Sequence, residues 1–273
     1  MSHALTHTII LAAAQPRDMP DDARYSNDPL THSTASFEVM QDTEPSDTLL
    51  AGFSQFGLAG LTAVDFLVDH LDLEQTGYVA ADSLPAITPF ENGTPRHHTR
   101  LFSRDGLDLT LLVNELFVPT VAADSFADAI LDWTEANGVG EVAIASGVPV
   151  AHGPDEHRTY YVATDDYVDD RLAGHDVPPM GTGFLDGVQG RILQRGIDSD
   201  LAAGVYITPV HERVPDVEAA IRLTQTVSDV YGLDVDTSPL EAFAKEVADY
   251  YAELARRVEA VAEQQKPDDR MYV

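Results

Sequence analysis

An α/β fold, with a mixed central sheet flanked by helices and a helical hairpin at its C-terminal end, is what this sequence predicts. Three observations carry the prediction. From about residue 48 onward, short apolar runs alternate with longer stretches whose apolar residues recur at helical spacing. The most apolar runs, Thr48–Phe53 (TLLAGF) and 141–146 (EVAIAS), lack polar alternation, as strands covered on both faces require. The last two helical stretches are joined by a few residues only, which reads as an αα-hairpin packed on the sheet or projecting from it.

Residues 1–34 precede this pattern. They hold Asp-Met-Pro-Asp-Asp at 18–22, Asn27-Asp28-Pro29 and clusters of Ser, Thr and His, and they read as an extension, either a surface arm or a disordered segment. A start at Met40, near the first convincing strand, is the other reading. Residues 48–53 form a strand that ends in a glycine-rich turn. Over 58–71, Leu58, Leu61, Val64, Leu67, Val68 and Leu71 share one helical face. Strands follow at 76–80 and 85–90, then a turn at Asn92-Gly93, then a strand pair at 99–102 and 107–113. A helix over 121–137 stops at Gly138. Its aromatics Phe126 and Trp133 are core residues first and interface anchors second. The 141–146 strand is followed by one at 159–164, a helix over 186–196 and a strand at 201–208.

The 215–231 helix has Pro215 in its first turn and Gly232 as its stop. In the last helix, 238–265, Ser238-Pro239-Leu240-Glu241 reads as a capping box with proline at the first helical position. Leu240, Val247, Leu254 and Val261 recur every seven residues along it, over about 40 Å at a rise of about 1.5 Å per residue. Pro267 prevents continuation. The expected division is therefore an extension at 1–34, a core domain at 35–237, a long helix at 238–265 and a flexible tail at 266–273.

Composition limits the partners. The 273 residues include 46 acidic against 16 basic ones, a formal charge of -30, with 44% apolar content sufficient for a core. The acids are spread along the chain and only Lys245 and Lys266 are lysines, which reads as a protein of a high-salt cytoplasm; a local acidic site for cations or basic proteins is the alternative. Nucleic-acid binding needs clustered Lys and Arg, and the chain lacks them. With no cysteine, thiolate catalysis, disulfides and Cys-ligated zinc are excluded. No apolar run approaches the roughly 20 residues of a membrane span, so the expected location is cytoplasmic and soluble, away from membranes.

Gly52, Gly57 and Gly60 bracket a loop between a strand and a helix, where anions are often held by backbone donors. Neither phosphate-binding glycine pattern is present, and no lysine follows the glycines. The loop is thus either an anion site or a place of tight strand–helix packing. His152 and His157 flank Asp155-Glu156, and His97-His98 and His211-Glu212 lie in other loops; a metal site or ordinary solvated loops both account for them. Asn114-Glu115 follows a strand at the sheet end where α/β enzymes place catalytic groups, Asp65 lies within the first amphipathic helix, and Glu115 with His152 or His211 is a possible general base. No nucleophile elbow is present; Ser54 and Ser146 are the nearest serines. No cofactor is implied.

The chain ends Lys266-Pro267-Asp268-Asp269-Arg270-Met271-Tyr272-Val273. It reads either as a frayed terminus or as a plug whose carboxylate a partner's cation captures and whose tyrosine adds apolar area and one directional hydroxyl.

Several segments in order resemble the proteasome assembly chaperone family, in its archaeal branch: 51–60, 82–85, 91–96, 129–133, Ser146-Gly147-Val148-Pro149-Val150, 181–187, and Pro215-Asp216 with Ala219-Ala220. The resemblance spans about 36–262; Gln55 departs from it, standing where relatives often carry proline or a small residue. It implies a fold like that of nucleoside phosphorylases used for protein binding, self-association, and an ATP-independent action on the proteasome core particle as assembly chaperone or gate-opening activator. Met271, Tyr272 and Val273 are similar to the hydrophobic–tyrosine–any-residue ending of proteasome-activating factors. That likeness implies docking between α-subunits, with the terminal carboxylate on a lysine. The other expectation is a nucleoside-phosphorylase-like hydrolase or transferase using the 52–60 loop.

Overall fold

The computed structural model describes residues 36–82, 87–150, 153, 156–211 and 215–264. Among the described residues ten strands and six α-helices follow one another: β1 (Ser36–Gln41), β2 (Thr48–Phe53), α1 (Ala59–His70), β3 (Glu74–Asp82), β4 (Phe90–Glu91), β5 (Thr94–Pro95), β6 (Thr99–Ser103), β7 (Thr110–Asn114), α2 (Thr120–Asn137), β8 (Glu141–Val148), β9 (Tyr160–Ala163), α3 (Asp165–Asp170), α4 (Gly187–Ile197), β10 (Ala202–Pro209), α5 (Val217–Tyr231) and α6 (Ser238–Gln264). Eight strands form one sheet in the order β1-β3-β6-β7-β2-β8-β10-β9. The middle four, β7, β2, β8 and β10, are parallel. On one side β6, β3 and β1 run alternately antiparallel, and β9 closes the other side antiparallel. The predicted mixed sheet between helices is the observed one.

The apolar pattern explains the layers. Every residue of β2 and β7 is buried, because parallel strands with helices on both faces have no solvent side. Leu50, Ala143 and Ala145 face the layer of α1 and α5, whereas Leu49, Ala51, Val142 and Ile144 face that of α2 and α4. Phe126 of α2 is fully buried and meets Phe37 and Phe53 edge-on, at centroid distances of 5.1 and 6.2 Å; such a side chain contributes about 3–5 kcal/mol. Trp133 is in the same core.

The helix stops are as predicted. Gly138 and Gly232 are left-handed caps (φ 71° and 63°), the conformation glycine adopts without a Cβ clash. Asn92 and Gly93 both have positive φ (49° and 80°), the turn that joins β4 to β5.

Three expectations need correction. Of the strand over 85–90, residues 85 and 86 lie outside the described residues, 87–89 is irregular, and Phe90–Glu91 alone of the rest pairs, in a ribbon of two residues on each side. Pro215 lies before the α5 cap: Asp216 is the cap, accepting from the Ala219 amide at 2.9 Å. The α6 cap is one residue earlier than the Ser238 box. The Asp236 carboxylate accepts from the Ser238 amide at 2.9 Å and the Thr237 hydroxyl meets Glu241 at 3.2 Å, so Pro239 sits second in the helix. Of the two placements expected for the hairpin, packing holds at its start, where Leu240, Phe243, Ala244 and Val247 lie against the α1–α5 layer. Two elements were not foreseen as such, β1 and α3. The extension at 1–34 and the tail at 266–273 lie outside the described residues.

Candidate functional site at the carboxyl edge of the sheet

The four parallel strands end together, so their carboxyl ends form one edge of the molecule, the position at which doubly wound folds bind. The β2–α1 loop, the β7–α2 loop, the β8–β9 loop and the β10–α5 loop all emerge there. The β4–β5 ribbon joins them, because β3 runs toward this edge and β6 away from it.

Gly52, Gly57 and Gly60 are in the first of these loops. A Cβ on Gly60 would lie 1.9 Å from the Ala145 carbonyl oxygen, and one on Gly52 would lie 2.5 Å from the Gly60 oxygen. The first turn of α1 therefore rests directly on β2 and β8 with no side chain between. Gly57 has φ 66°, and its carbonyl accepts from the Asp216 amide at 2.8 Å. Packing and backbone conformation thus give each of the three glycines a reason without a ligand.

The candidate catalytic residues are brought near this edge but engaged with one another. Asn114 is fully buried, its Oδ1 accepting from Thr99 Oγ1 at 3.2 Å and from the Leu116 amide at 2.8 Å. Its Nδ2 has no partner among the described residues. Glu115 accepts two hydrogen bonds from Arg96, one of 2.9 Å through Nη2 and one from Nη1, and Arg100 lies 3.5 Å from it. Arg96 also reaches Glu91 at 3.7 Å. Arg100 spans from β6 to Asp65 of α1 at 3.9 Å and stacks over Phe102. Burial pushes the Asp65 carboxyl up to about 6, with Arg100 pulling it down and Glu115 pushing it further up.

The histidines are dispersed. His97 stacks flat on Tyr78 at 3.7 Å. Burial, and then the neighbouring His97, hold His98 below the ordinary imidazole range. His211 Nδ1 lies 2.7 Å from Asp216 and meets the His157 ring edge-on. Burial raises the Asp216 carboxyl, but hydrogen bonds from the amides of Ala219 and His211 outweigh it and hold the group low. Ser146 donates to Gln55 Oε1 at 2.9 Å, and the Ser54 amide donates to the Asn114 carbonyl. His152, Asp155, Glu212 and the tail residues Met271, Tyr272 and Val273 lie outside the described residues. Glu91, Arg96, Arg100, Glu115 and Asp65 form an ion-pair network, and Asp216 is hydrogen-bonded to His211, chemistry that fixes loops.

A profile-level comparison decides the family: the PAC2 family model matches residues 49–255. The chain belongs to the PAC2 family. Among solved structures, this PAC2 protein is similar to Pyrococcus furiosus PbaA, an archaeal homolog of proteasome-assembly chaperone (TM-score 0.75, 19% identity, covering 87% of this chain and 100% of that one). It is similar to P. furiosus PbaB, an archaeal proteasome activator (TM-score 0.67, 21% identity, 83% and 99%). A PAC2 family protein from Streptomyces avermitilis matches too (TM-score 0.57, 18% identity, 80% and 99%). At these identities the likeness is one of fold. No curated protein matches this chain.

Sequence reasoning found the glycines and Asn114-Glu115 but missed what covers the same edge. Phe90, Phe117 and Phe184 are 73%, 70% and 104% exposed there, and Phe56 is half exposed. The available signal was charge: 53–58, 116–121 and 177–185 contain no Asp, Glu, Lys or Arg in a chain where such residues make up 23%.

Proposed function

We propose that this PAC2 protein is a non-catalytic, ATP-independent factor that binds the proteasome core particle, either assisting its assembly or opening its gate. The observation that carries this reading is the match to PbaA and PbaB, which between them are a homolog of an assembly chaperone and an activator, over 87% and 83% of this chain and 100% and 99% of theirs. The ion-pair network supports it from the other side: Glu115, the best-placed general base, has both arginines against it.

The finer reading is a homo-oligomer in the cytoplasm of a high-salt archaeon, presenting Met271, Tyr272 and the Val273 carboxylate to pockets between α-subunits. Several tails on one oligomer would bind with avidity, each further tail docking at high local concentration. The test is capture of the core particle by the full chain, by a chain lacking the last three residues, and by Tyr272→Ala, with circular dichroism confirming the fold. Capture by the full chain alone is the expected result. Equal capture by all three removes the tail's role, and no capture by any removes the proteasome reading.

A further inference from the structure

The sheet ends in two strands, β1 and β9, and they are finished differently. β9 has four residues, and the segment 178–180 runs along its outer side. The Tyr161 amide donates to the Pro178 carbonyl at 3.0 Å, and the Met180 amide to the Tyr161 carbonyl at 2.8 Å. β1 has six residues and pairs with β3 at each of them without a bulge. The Asp42 amide donates to the Thr76 carbonyl at 3.0 Å, which fixes the phase of that ladder. Bonding alternates along antiparallel strands, so Ser36, Glu38 and Met40 turn their amides and carbonyls to β3, and Phe37, Val39 and Gln41 turn theirs away from it. These outward groups have no partner among the described residues. Oε1 of Gln41 is likewise buried without a donor among them.

An open edge accepts a further strand, and folds guard such edges with proline, lysine, a bulge or a very short strand. β1 has none of these guards, and Glu38 is its one charged residue. Its apolar residues lie on both faces. Phe37 and Val39 pack toward α2, and Met40, 41% exposed, is on the other side. A strand continuing the sheet here would therefore meet apolar neighbours on each face.

The chain carries such a strand close by. Residues 1–35 lie outside the described residues and lead into β1 at Ser36, its carboxyl-edge end, because β1 runs opposite to β3. Residues 1–16 have no charged side chain, in a chain with 46 acidic and 16 basic residues. Only one other charge-free stretch is as long, 48–64, and it holds β2 and the first half of α1. Within 1–16, Thr8-Ile9-Ile10-Leu11 joins three β-branched residues to a leucine, and Ala12 and Ala13 follow, a run without polar alternation like that of β2. The connection 14–35 contains Pro16, Pro20 and Pro29 and the acids Asp18, Asp21 and Asp22, a composition foreign to strands. A run antiparallel to β1 would end at the edge where β1 begins, so the connection has only to turn there. A tether of this kind holds its segment at a roughly millimolar effective concentration, ahead of any strand from solution.

We propose that residues 8–13 pair along the outer side of β1 as a further, antiparallel strand of the sheet. This goes beyond the function proposed above and needs nothing from the proteasome. While the segment is seated, no other strand can join the sheet at β1, so the chain guards its own open edge.

The test is residue-resolved amide exchange by NMR on the full chain, wild type against the double variant Ile10→Pro, Leu11→Pro. Two successive prolines remove a ladder amide whichever of the two faces β1. In the wild type the amides of Phe37, Val39 and Gln41 are expected to exchange as slowly as those of Glu38 and Met40. In the variant they exchange at least ~100-fold faster, while Glu38 and Met40, bonded to β3, change by less than about tenfold and so report the fold in the same spectrum. Alternate amides within 8–13 are slow in the wild type. Exchange at the unprotected rate throughout 8–13 overturns the proposal whatever β1 does. Wild-type Phe37, Val39 and Gln41 as fast as in the variant overturn it, as does protection of these three that survives the prolines. Protection that disappears on dilution assigns the edge to a second copy and overturns it too.

Discussion

The two edges of the sheet are built from the same strands and differ in almost every other respect. At the carboxyl edge the stretches 53–58, 116–121, 146–150 and 177–185 are uncharged, Phe90, Phe117 and Phe184 face solvent, and Glu115 is paired with Arg96. At the amino edge the connections carry Asp42, Glu44, Asp47, Asp105, Asp108 and Asp200, with Arg104 the one basic residue among these loops. Polar interactions there serve the interior instead. The hydroxyls of Tyr206, Tyr167 and Tyr231 are chained at 2.9 and 3.0 Å, and Tyr231 donates to Glu141 at 2.7 Å. Arg171 clamps Glu141 and lies over the Tyr231 ring. Burial holds all three phenols above their ordinary range, so they stay neutral. One edge exposes apolar side chains, the other acidic ones.

Glycine substitutions separate the edges most sharply. Gly60→Ala sets a methyl 1.9 Å from the Ala145 oxygen and has to push α1 off the sheet, which costs about 3 kcal/mol or more in denaturant unfolding. Gly140→Ala, at the amino edge with nothing within 4 Å, changes stability by less than about 0.5 kcal/mol. Equal losses would mean that the close contact at the carboxyl edge is not what α1 depends on. Tyr231→Phe tests the amino edge: it removes the donor to Glu141 and interrupts the hydroxyl chain, a loss of about 1–2 kcal/mol in thermal unfolding.

The smallest effect is the pH dependence at Asp65. Its folded value of about 6 lies above the unfolded 3.8, so between about pH 4 and 6 the native state holds a proton that the unfolded state has lost. Stability from this group is full below pH 4 and falls as pH rises through 6. The side chain keeps 41% of its surface, so solvent screening limits the effect to about 1 kcal/mol or less. Asp65→Asn flattens that slope. Unfolding free energies measured across pH 4–7 that stay parallel in the two proteins would remove Asp65 from the account.

How far the sequence could be read depended on the range of the interaction. Local signals were legible: the apolar run 48–53, the glycine stops at 138 and 232, the Asn92-Gly93 turn. β1 was harder because its alternating SFEVMQ is half exposed, and α3 because DDYVDD offers one buried residue, Tyr167, among acids. The caps of α5 and α6 were misplaced by a residue or two, since Ser238 competes with Thr237 and Asp236 for the same amides. At the site, Gly60 could be read as a position of close approach, but its counterpart Ala145 is 85 residues further on and is fixed only by the β2–β8 pairing. The same holds for Glu115, whose arginines come from the partner strand of a hairpin and the ribbon before it. Exposed Phe56, Phe117 and Phe184 carry a local signal in their charge-free stretches, but that these stretches share one edge is fixed by the topology.

The bare contact between α1 and the sheet has one further consequence. A helix seated on strand backbone, with no side chain to shift, leaves the loop bearing Phe56 little freedom to move. A surface that is rigid before it is met gives up little entropy when it docks. Complexes formed there would assemble at rates set by collision and orientation, with no waiting for a loop to order.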